Sequence, residues 1–289
     1  MAKRRRRTEP QSKKPISNVM QSTNTTVDIV IAVYQRFDLL AQCLKAIPAA
    51  TDNYGYRVII VDNGSPPEVA NDFYYGIDDP AIKIIRNKEN LGFPKACNQG
   101  FDRGFSPLVF FLNDDVILKP RAIRYLIEEM RDDTIGVAGM KLIFPEQTDL
   151  PTGNGERPLG KVQHIGLETN IRAEFVHQFL GWSPDHPKVN AMRDVYAVTG
   201  AAMMTRRMLF TKAGKFFEGY GRGTYEDVDY CLTVRKMGYN VIVVPEAEGI
   251  HYTGATAVTY NIGYPLNENR VIFLQRWQKE LDWTQWKAV

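Results

Sequence analysis

The sequence predicts an α/β fold with a mostly parallel central sheet covered by helices on both faces. Two observations point there. Short apolar runs, VDIVIAVY (27–34), YRVIIVD (56–62), AIKIIRN (81–87), PLVFFLN (107–113) and IGVAGMKLIF (135–144), alternate with stretches of helical spacing. The runs are also apolar throughout rather than at every second position, which is the mark of strands buried on two sides.

Taken in order, RFDLLAQCLKAI (36–47) spaces Leu39, Cys43 and Ile47 four apart, as one helix face requires. NGSPP ends the second strand with turn residues, and a polar helix is expected over 67–76. PKACNQGFDRG forms a short helix before the fourth strand. PRAIRYLIEEM (120–130) places Pro120 at the first helical position, where a missing N–H costs nothing. Residues 145–194 are rich in Pro, Gly and polar groups and read as a long excursion that could serve as a lid. Order resumes with VYAVTGAAMMTRR, a helical YEDVDYCLTVRKMG and the strand YNVIVV. No internal repeat is visible, and no G-x-G-x-x-G follows the first strand, so a dinucleotide site finds no support.

At 289 residues the chain can bury a substantial core, and 44% hydrophobic content with a mean hydropathy of -0.30 is ordinary for a soluble protein. No window supplies the roughly 18 apolar residues that span a bilayer. MAKRRRRTEP continues into polar residues rather than a secretory apolar stretch. The three cysteines, Cys43, Cys97 and Cys231, are far apart and read as reduced thiols of a cytoplasmic protein. The net charge of +3 is concentrated in KRRRR (3–7), Lys13 and Lys14, so residues 1–26 read as a basic, unfolded tail. No aromatics interleave with that tail, which argues against nucleic acid as partner.

The chemistry is concentrated where the fourth strand, LVFFL, breaks into Asn113-Asp114-Asp115. Ligands of open α/β sheets bind beyond the carboxyl ends of the strands, and Asp62 ends the second strand in the same way. Neighbouring carboxylates repel unless a cation intervenes, and no Lys or Arg is adjacent until Lys119. Oxygen ligands suit Mg²⁺ or Mn²⁺. Against this stands a plainer account, in which the triplet merely caps a turn. In GTYEDVDYCLTVRKMGY, Val228, Cys231 and Leu232 face the core, which leaves Glu226 and Asp227 in the exposed first helical turn. Thr224 with Asp227 could be a capping box, but capping needs one acid and Glu226, Asp227 and Asp229 are all supplied.

Five stretches in order, VDIVIAVYQR, VIIVDNGS, RNKENLGFPKACNQG, VFFLNDDV and YEDVDYCLTVRKMGYNVIVVPEAEGIHYTG, resemble the family-2 inverting glycosyltransferases of GT-A fold, especially a rhamnosyltransferase-like branch. The likeness covers about residues 27 to 256, divided into a nucleotide-binding half (27–144) and an acceptor-binding half (145–256). It implies that Asp62 contacts the nucleotide base, and that Asn90, Gly92 and Asn98, with Val33, Tyr34, Arg36 and Lys95, surround the nucleoside. Asn113-Asp114-Asp115 takes the place of the D-x-D motif, with Asp115 a metal ligand and Asp114 near the ribose or sugar. Asp227 matches the catalytic base, with Glu226 beside it, and His251 matches a histidine that joins the metal or diphosphate. A purely structural imidazole at His251 stays open as the alternative.

The resemblance implies Mn²⁺- or Mg²⁺-dependent transfer from a dTDP- or UDP-sugar, with rhamnose among the candidates, to a glycan, lipid-linked or protein hydroxyl. Configuration would invert, because the strand-end acids hold metal and one acidic cluster remains for attack. His164, in the excursion that would shape the acceptor side, is expected to be structural. Two departures stand out: Val33-Tyr34-Gln35 replaces the usual Thr and Asn, and Thr233 stands where the branch shows arginine. The rivals are a nucleotidyltransferase, which would need a Gly-rich, basic phosphate loop where AVYQRFD stands, and a non-catalytic binder of nucleotide-sugar or nucleic acid. In the C-terminal extension, 257–289, Leu274, Trp277 and Leu281 share a helical face. That face could pack on the domain, on a second subunit or on a membrane surface beside a lipid-linked acceptor.

Overall fold

The computed structural model describes residues 26–147, 158–169, 174–260 and 263–279. Strands β1 (Val27–Val33), β2 (Tyr56–Asp62), β3 (Ile82–Arg86) and β4 (Leu108–Leu112) alternate with helices α1 (Phe37–Thr51), α2 (Pro67–Tyr75) and α3 (Phe93–Arg103). After a short β5 (Val116–Leu118) come α4 (Ala122–Glu129) and β6 (Ile135–Ile143). The excursion carries β7 (Val162–His164), the hairpin β8 (Leu167–Thr169) and β9 (Phe175–His177), and β10 (Arg193–Asp194). Then follow β11 (Ala202–Arg206), α5 (Arg207–Lys212), α6 (Glu226–Lys236), β12 (Asn240–His251), α7 (Ala255–Thr259) and α8 (Leu266–Trp277). The basic tail and Leu281 lie outside the described residues.

The sheet order is β10-β12-β6-β11-β4-β1-β2-β3, with β5 pairing β12 and β7 pairing β6. β1 runs parallel to β2 and β4, β2 to β3, and β6 to β12, as uniformly apolar strands lead one to expect. The exceptions follow from the connections. β11 re-enters the sheet antiparallel between β4 and β6, so its first residues sit at the carboxyl end of β4, where the Asn113 N–H donates to the Ala201 carbonyl at 2.8 Å. β3 is the edge strand and is half exposed rather than buried.

Successive strand residues point to opposite faces, so the sheet separates two cores. Ile29, Ile31 and Phe110 pack with Leu40, Cys43 and Ile47 of α1 and Ile123 and Leu126 of α4. Val30 and Phe111 pack on the other face with Phe210, Phe216, Tyr230 and, from α8, Phe273 and Trp277. α8 is thus part of the domain's packing. No helix among the described residues is long and apolar enough to cross a membrane.

Two helix boundaries differ from expectation. Pro120 precedes α4 rather than opening it, because Arg121 takes a left-handed N-cap conformation (φ 67°) and helical geometry begins at Ala122. α1 runs past Ile47 through Pro48 to Thr51, whose hydroxyl donates to the Ile47 carbonyl at 3.1 Å. A proline one turn from the helix end forfeits little, since the following residues still close the turn.

Candidate active site

A cleft of about 120 Å³ opens at the carboxyl ends of β1 and β4. Ala32, Val33 and Tyr34 follow from β1, Asn113, Asp114 and Asp115 from β4, and Asn63 from the end of β2. Asn90, Phe93, Arg222, Gly254, Thr256 and Tyr264 complete the wall.

Asp114 and Asp115 are buried although they form a turn, at 7% and 4% exposure, and Asn113 beside them is half-buried. Burial, and then the adjacent Asp115 charge, push the Asp114 carboxyl well above the usual range. Asp114 Oδ2 and Asn113 Oδ1 have no hydrogen-bond partner among the described residues. β5 pairs antiparallel with the end of β12 in a register that sets His251 opposite Val116, so the imidazole comes to Asp115 with Nε2 3.1 Å from Oδ1. Gln163 of β7 fixes the ring. Its Nε2 donates to Thr253 Oγ1 at 2.7 Å, which turns Oε1 to His251 Nδ1 at 2.8 Å, so Nδ1 carries the proton. In the neutral ring Nε2 then presents a lone pair to a carboxylate oxygen, and neither atom has a hydrogen-bond partner.

Two lone-pair atoms held in buried contact need a positive charge between them, either a second imidazole proton or a cation. The unpartnered oxygens alongside at Asn113 and Asp114 fit a cation. No group of three His, Cys, Asp or Glu side chains converges among the described residues. The protein would therefore supply few ligands and leave the rest to water and phosphate oxygens, as Mg²⁺ and Mn²⁺ sites commonly do.

The second acidic cluster opens α6. The alternative capping box does not form: the N-cap is Tyr225, with no side-chain cap, and Thr224 Oγ1 stands 3.0 Å from Asn269 Nδ2 instead. Thr224 and Tyr225 both hold positive φ, 85° and 70°. Non-glycine residues in that region cost on the order of 1–3 kcal/mol each and need their surroundings to hold them. Glu226 is buried rather than exposed, at 5%, and its Oε2 has no partner. Burial and the Asp227 charge push its carboxyl up to about 8. Burial also raises Asp227, but backbone N–H groups oppose the rise: Gly200 donates to Oδ2 and Val228 to Oδ1, both at 2.8 Å. Of the pair, Glu226 keeps the proton and Asp227 the charge.

The two clusters meet around Tyr264. Tyr264 is exposed at the cleft rim (47%), yet partial desolvation there raises its phenol to about 12, and the charges of Asp115, Asp114 and Glu226 add to the rise. Phe93 forms the wall between the cleft and α6, because a Cβ at Gly200 would touch both the Phe93 ring (3.5 Å) and Asp227 (3.4 Å). Gly92 allows this arrangement. Its φ is 87°, and any Cβ there would collide with the Gly221 carbonyl oxygen.

The remaining expected residues divide. Val33, Tyr34, Asn90, Asn113, Asp114 and Asp115 line the cleft. Asp62 lies behind the wall, fully buried, with Oδ1 accepting from Ser65 N–H (3.0 Å) and Oδ2 from Arg86 Nε (3.0 Å). Its neighbour Asn63 takes the wall position, donating to Asn90 Oδ1 at 2.9 Å. Asn98 ties α3 to the 216–218 segment, donating to the Phe216 carbonyl (2.9 Å) and Glu218 (3.0 Å). Arg36 is paired with Asp38 through Nε (2.9 Å) and Nη2 (2.7 Å), and Lys95 is exposed. His164 is structural: fully buried, it accepts from the N–H groups of Gly166 and Thr199 at 3.3 Å each. Near Thr233, Arg276 of α8 pairs with Asp229 at 2.6 Å. Arg222, Tyr264 and Gln163 carried no signal in the sequence, because each reaches the site by long-range packing.

Against known families, residues 28–210 match the model of glycosyl transferase family 2, and the chain belongs to that family. An uncharacterized protein of Sinorhizobium fredii is 24% identical over 237 residues, 80% of this chain and 25% of that one. The O-antigen biosynthesis protein RfbC of Myxococcus xanthus is 25% identical over 239 residues, 80% of this chain and 17% of that one. The chain thus spans a quarter or less of the length of these two relatives. Among solved structures, GalNAc-T7 with UDP, GalNAc and Mn²⁺ superposes with a TM-score of 0.68 at 16% identity, covering 90% of this chain and 49% of that one. The mannosyltransferase PcManGT of Pyrobaculum calidifontis, in complex with GDP-Man and Mn²⁺, gives 0.55 at 17% identity, covering 89% and 64%. The fold is GT-A.

Proposed function

We propose that this protein is a metal-dependent inverting glycosyltransferase that moves a sugar from a dTDP- or UDP-sugar to an acceptor hydroxyl. The observation that carries the proposal is the buried Asp115–His251 contact at 3.1 Å, with the far side of the imidazole committed to Gln163. Family membership supports the same class of reaction.

In this reading Asp115 and His251 hold Mn²⁺ or Mg²⁺, which supplies Lewis-acid neutralisation of charge developing on a leaving diphosphate. Asn63 and Asn90 face the nucleoside, and Asp62 acts through the turn that presents Asn63. Arg222, the one cation lining the cleft among the described residues, contributes positive charge toward the phosphates. Tyr264 excludes water over the two acidic clusters. Asp227 accepts the proton of the acceptor hydroxyl as the new bond forms. Its two backbone donors orient it, and burial makes it a stronger base than a free carboxylate with pKa near 3.9. Glu226, kept protonated, adds no second negative charge to that turn. Rhamnose as the sugar, and a glycan, lipid-linked sugar or protein as acceptor, are the finer assignments that the branch likeness favours.

Incubating the protein with UDP- and dTDP-sugars, with and without Mn²⁺, tests the proposal. Metal-dependent release of the nucleoside diphosphate is expected, and an equal rate in chelator would count against it.

A further inference from the structure

We propose that α8, beyond the residues matched by the family model, is the element that positions the Asp227 turn, and that Asn269 is its positioning residue. The proposal rests on the reading of Asp227 as base.

The turn before α6 is strained, although two backbone hydrogen bonds cross it, from Gly221 N–H to the Glu218 carbonyl (3.1 Å) and from Gly223 N–H to the Tyr220 carbonyl (3.2 Å). Gly221, Gly223, Thr224 and Tyr225 all have positive φ (58°, 122°, 85° and 70°), and the N-cap residue offers no side-chain cap. One side chain from another element supplies what is missing. Asn269 is 2% exposed, and its Nδ2 donates to the carbonyls of Gly223 (2.7 Å) and Tyr220 (2.9 Å). The Thr224 hydroxyl and carbonyl stand close by, at 3.0 and 3.3 Å. Two amide hydrogens therefore pin two carbonyls on either side of Gly221, the residue whose carbonyl fits against Gly92.

Further along the same face of α8, Phe273 packs on the Tyr225 ring at 5.2 Å between centroids. Arg276 then reaches Asp229 with Nε at 2.6 Å, on a carboxylate that also accepts from the Tyr220 hydroxyl at 2.7 Å. Residues 269, 273 and 276, at i, i+4 and i+7, share one helical face. α8 thereby grips the turn before Asp227 and the carboxylate after it, and the catalytic oxygen atoms inherit their position from a helix that touches no reacting atom.

The test is Asn269→Ala, read in three ways against wild type. Hydrogen exchange of the backbone amides at 221–227 should rise at least tenfold while those of β1 and β4 stay unchanged. Affinity for UDP with Mn²⁺ should fall several-fold less than kcat, because Arg222 is the only residue of the loosened turn that lines the cleft. In turnover with whichever UDP- or dTDP-sugar the wild type uses, kcat should fall on the order of 10²-fold, as a small misplacement of a reacting group does. Asn269→Ser, which keeps one donor, should fall between, and it replaces the alanine variant if that does not fold. Unchanged exchange at 221–227, or a loss of kcat matched by an equal loss of UDP affinity, would overturn the proposal. A wild type that turns over none of these sugars defeats the transferase reading instead, and the exchange measurement still decides whether Asn269 holds the turn.

Discussion

The acid pair at the end of β4 and the pair at the start of α6 are built from similar residues, equally adjacent in sequence, and of the four carboxylates only Asp227 is more than slightly exposed. They solve the repulsion between neighbours in opposite ways. At the strand end, Asp114 and Asn113 keep oxygens unpartnered among the described residues and Asp115 meets the His251 imidazole, so the arrangement calls for positive charge, from a second imidazole proton or from a bound cation. At the helix start the protein supplies the remedy itself: two backbone N–H groups hold Asp227 and a retained proton silences Glu226. One pair is therefore suited to hold a cation and the other to move a proton. Environments that push like groups toward different charge states are how a single site assigns different tasks to carboxylates.

The contrast can be tested from the largest expected effect downward. Asp227→Asn should lower kcat by about 10²–10⁴-fold, the worth of general-base help, while UDP with Mn²⁺ binds as before by calorimetry. Near-normal turnover would remove the proton-moving role from α6. Asp115→Asn should do the reverse, with the Mn²⁺-dependent part of UDP binding falling at least ~10–100-fold, since even groups behind a metal ligand are worth that much. Equal Mn²⁺ affinity in the two variants would erase the distinction.

Glu226→Gln addresses stability. The folded carboxyl lies at about 8 against an ordinary value of 4.5, so between these values the native state holds a proton that the unfolded chain has released. Wild-type stability then falls as pH rises from 4.5 to 8, and a glutamine, which has nothing to lose, does not follow. The melting temperature of the variant relative to wild type should climb from pH 5 to pH 8.5, and a difference that stays flat would place the proton elsewhere. The smallest effect is expected from Gln163→Ala, which frees the His251 ring and should weaken Mn²⁺ binding ~10-fold, readable by titration with UDP present.

The sheet was legible because parallel strands buried on both faces leave uninterrupted apolar runs, and the strand-end position of Asn113-Asp114-Asp115 followed directly. The reversal of β11 was not legible, since direction within a sheet depends on where a 58-residue connection returns and not on the six or so residues that pair. The sequence left a capping box open as the plainer account of Thr224 and Asp227, and only the left-handed backbone at 224–225, which sets Thr224 against Asn269, rules it out. Motif position also failed to separate wall from support: Asp62 and Asn98 stand where base- and nucleoside-contacting residues were expected, yet their polar atoms are spent on Ser65, Arg86, Phe216 and Glu218. Tyr264 and Arg222 were invisible for a related reason, as a lone tyrosine or arginine in a loop has no spacing to betray it.

The close approach of Gly92 to the Gly221 carbonyl has a practical consequence for anyone recombining parts of this protein. Residues 90–93 and 220–223 interlock at a point with no room for a single extra methyl group, so a specificity swap that imports one segment without its counterpart will jam there. The two segments form one cassette, although about 130 positions of chain separate them.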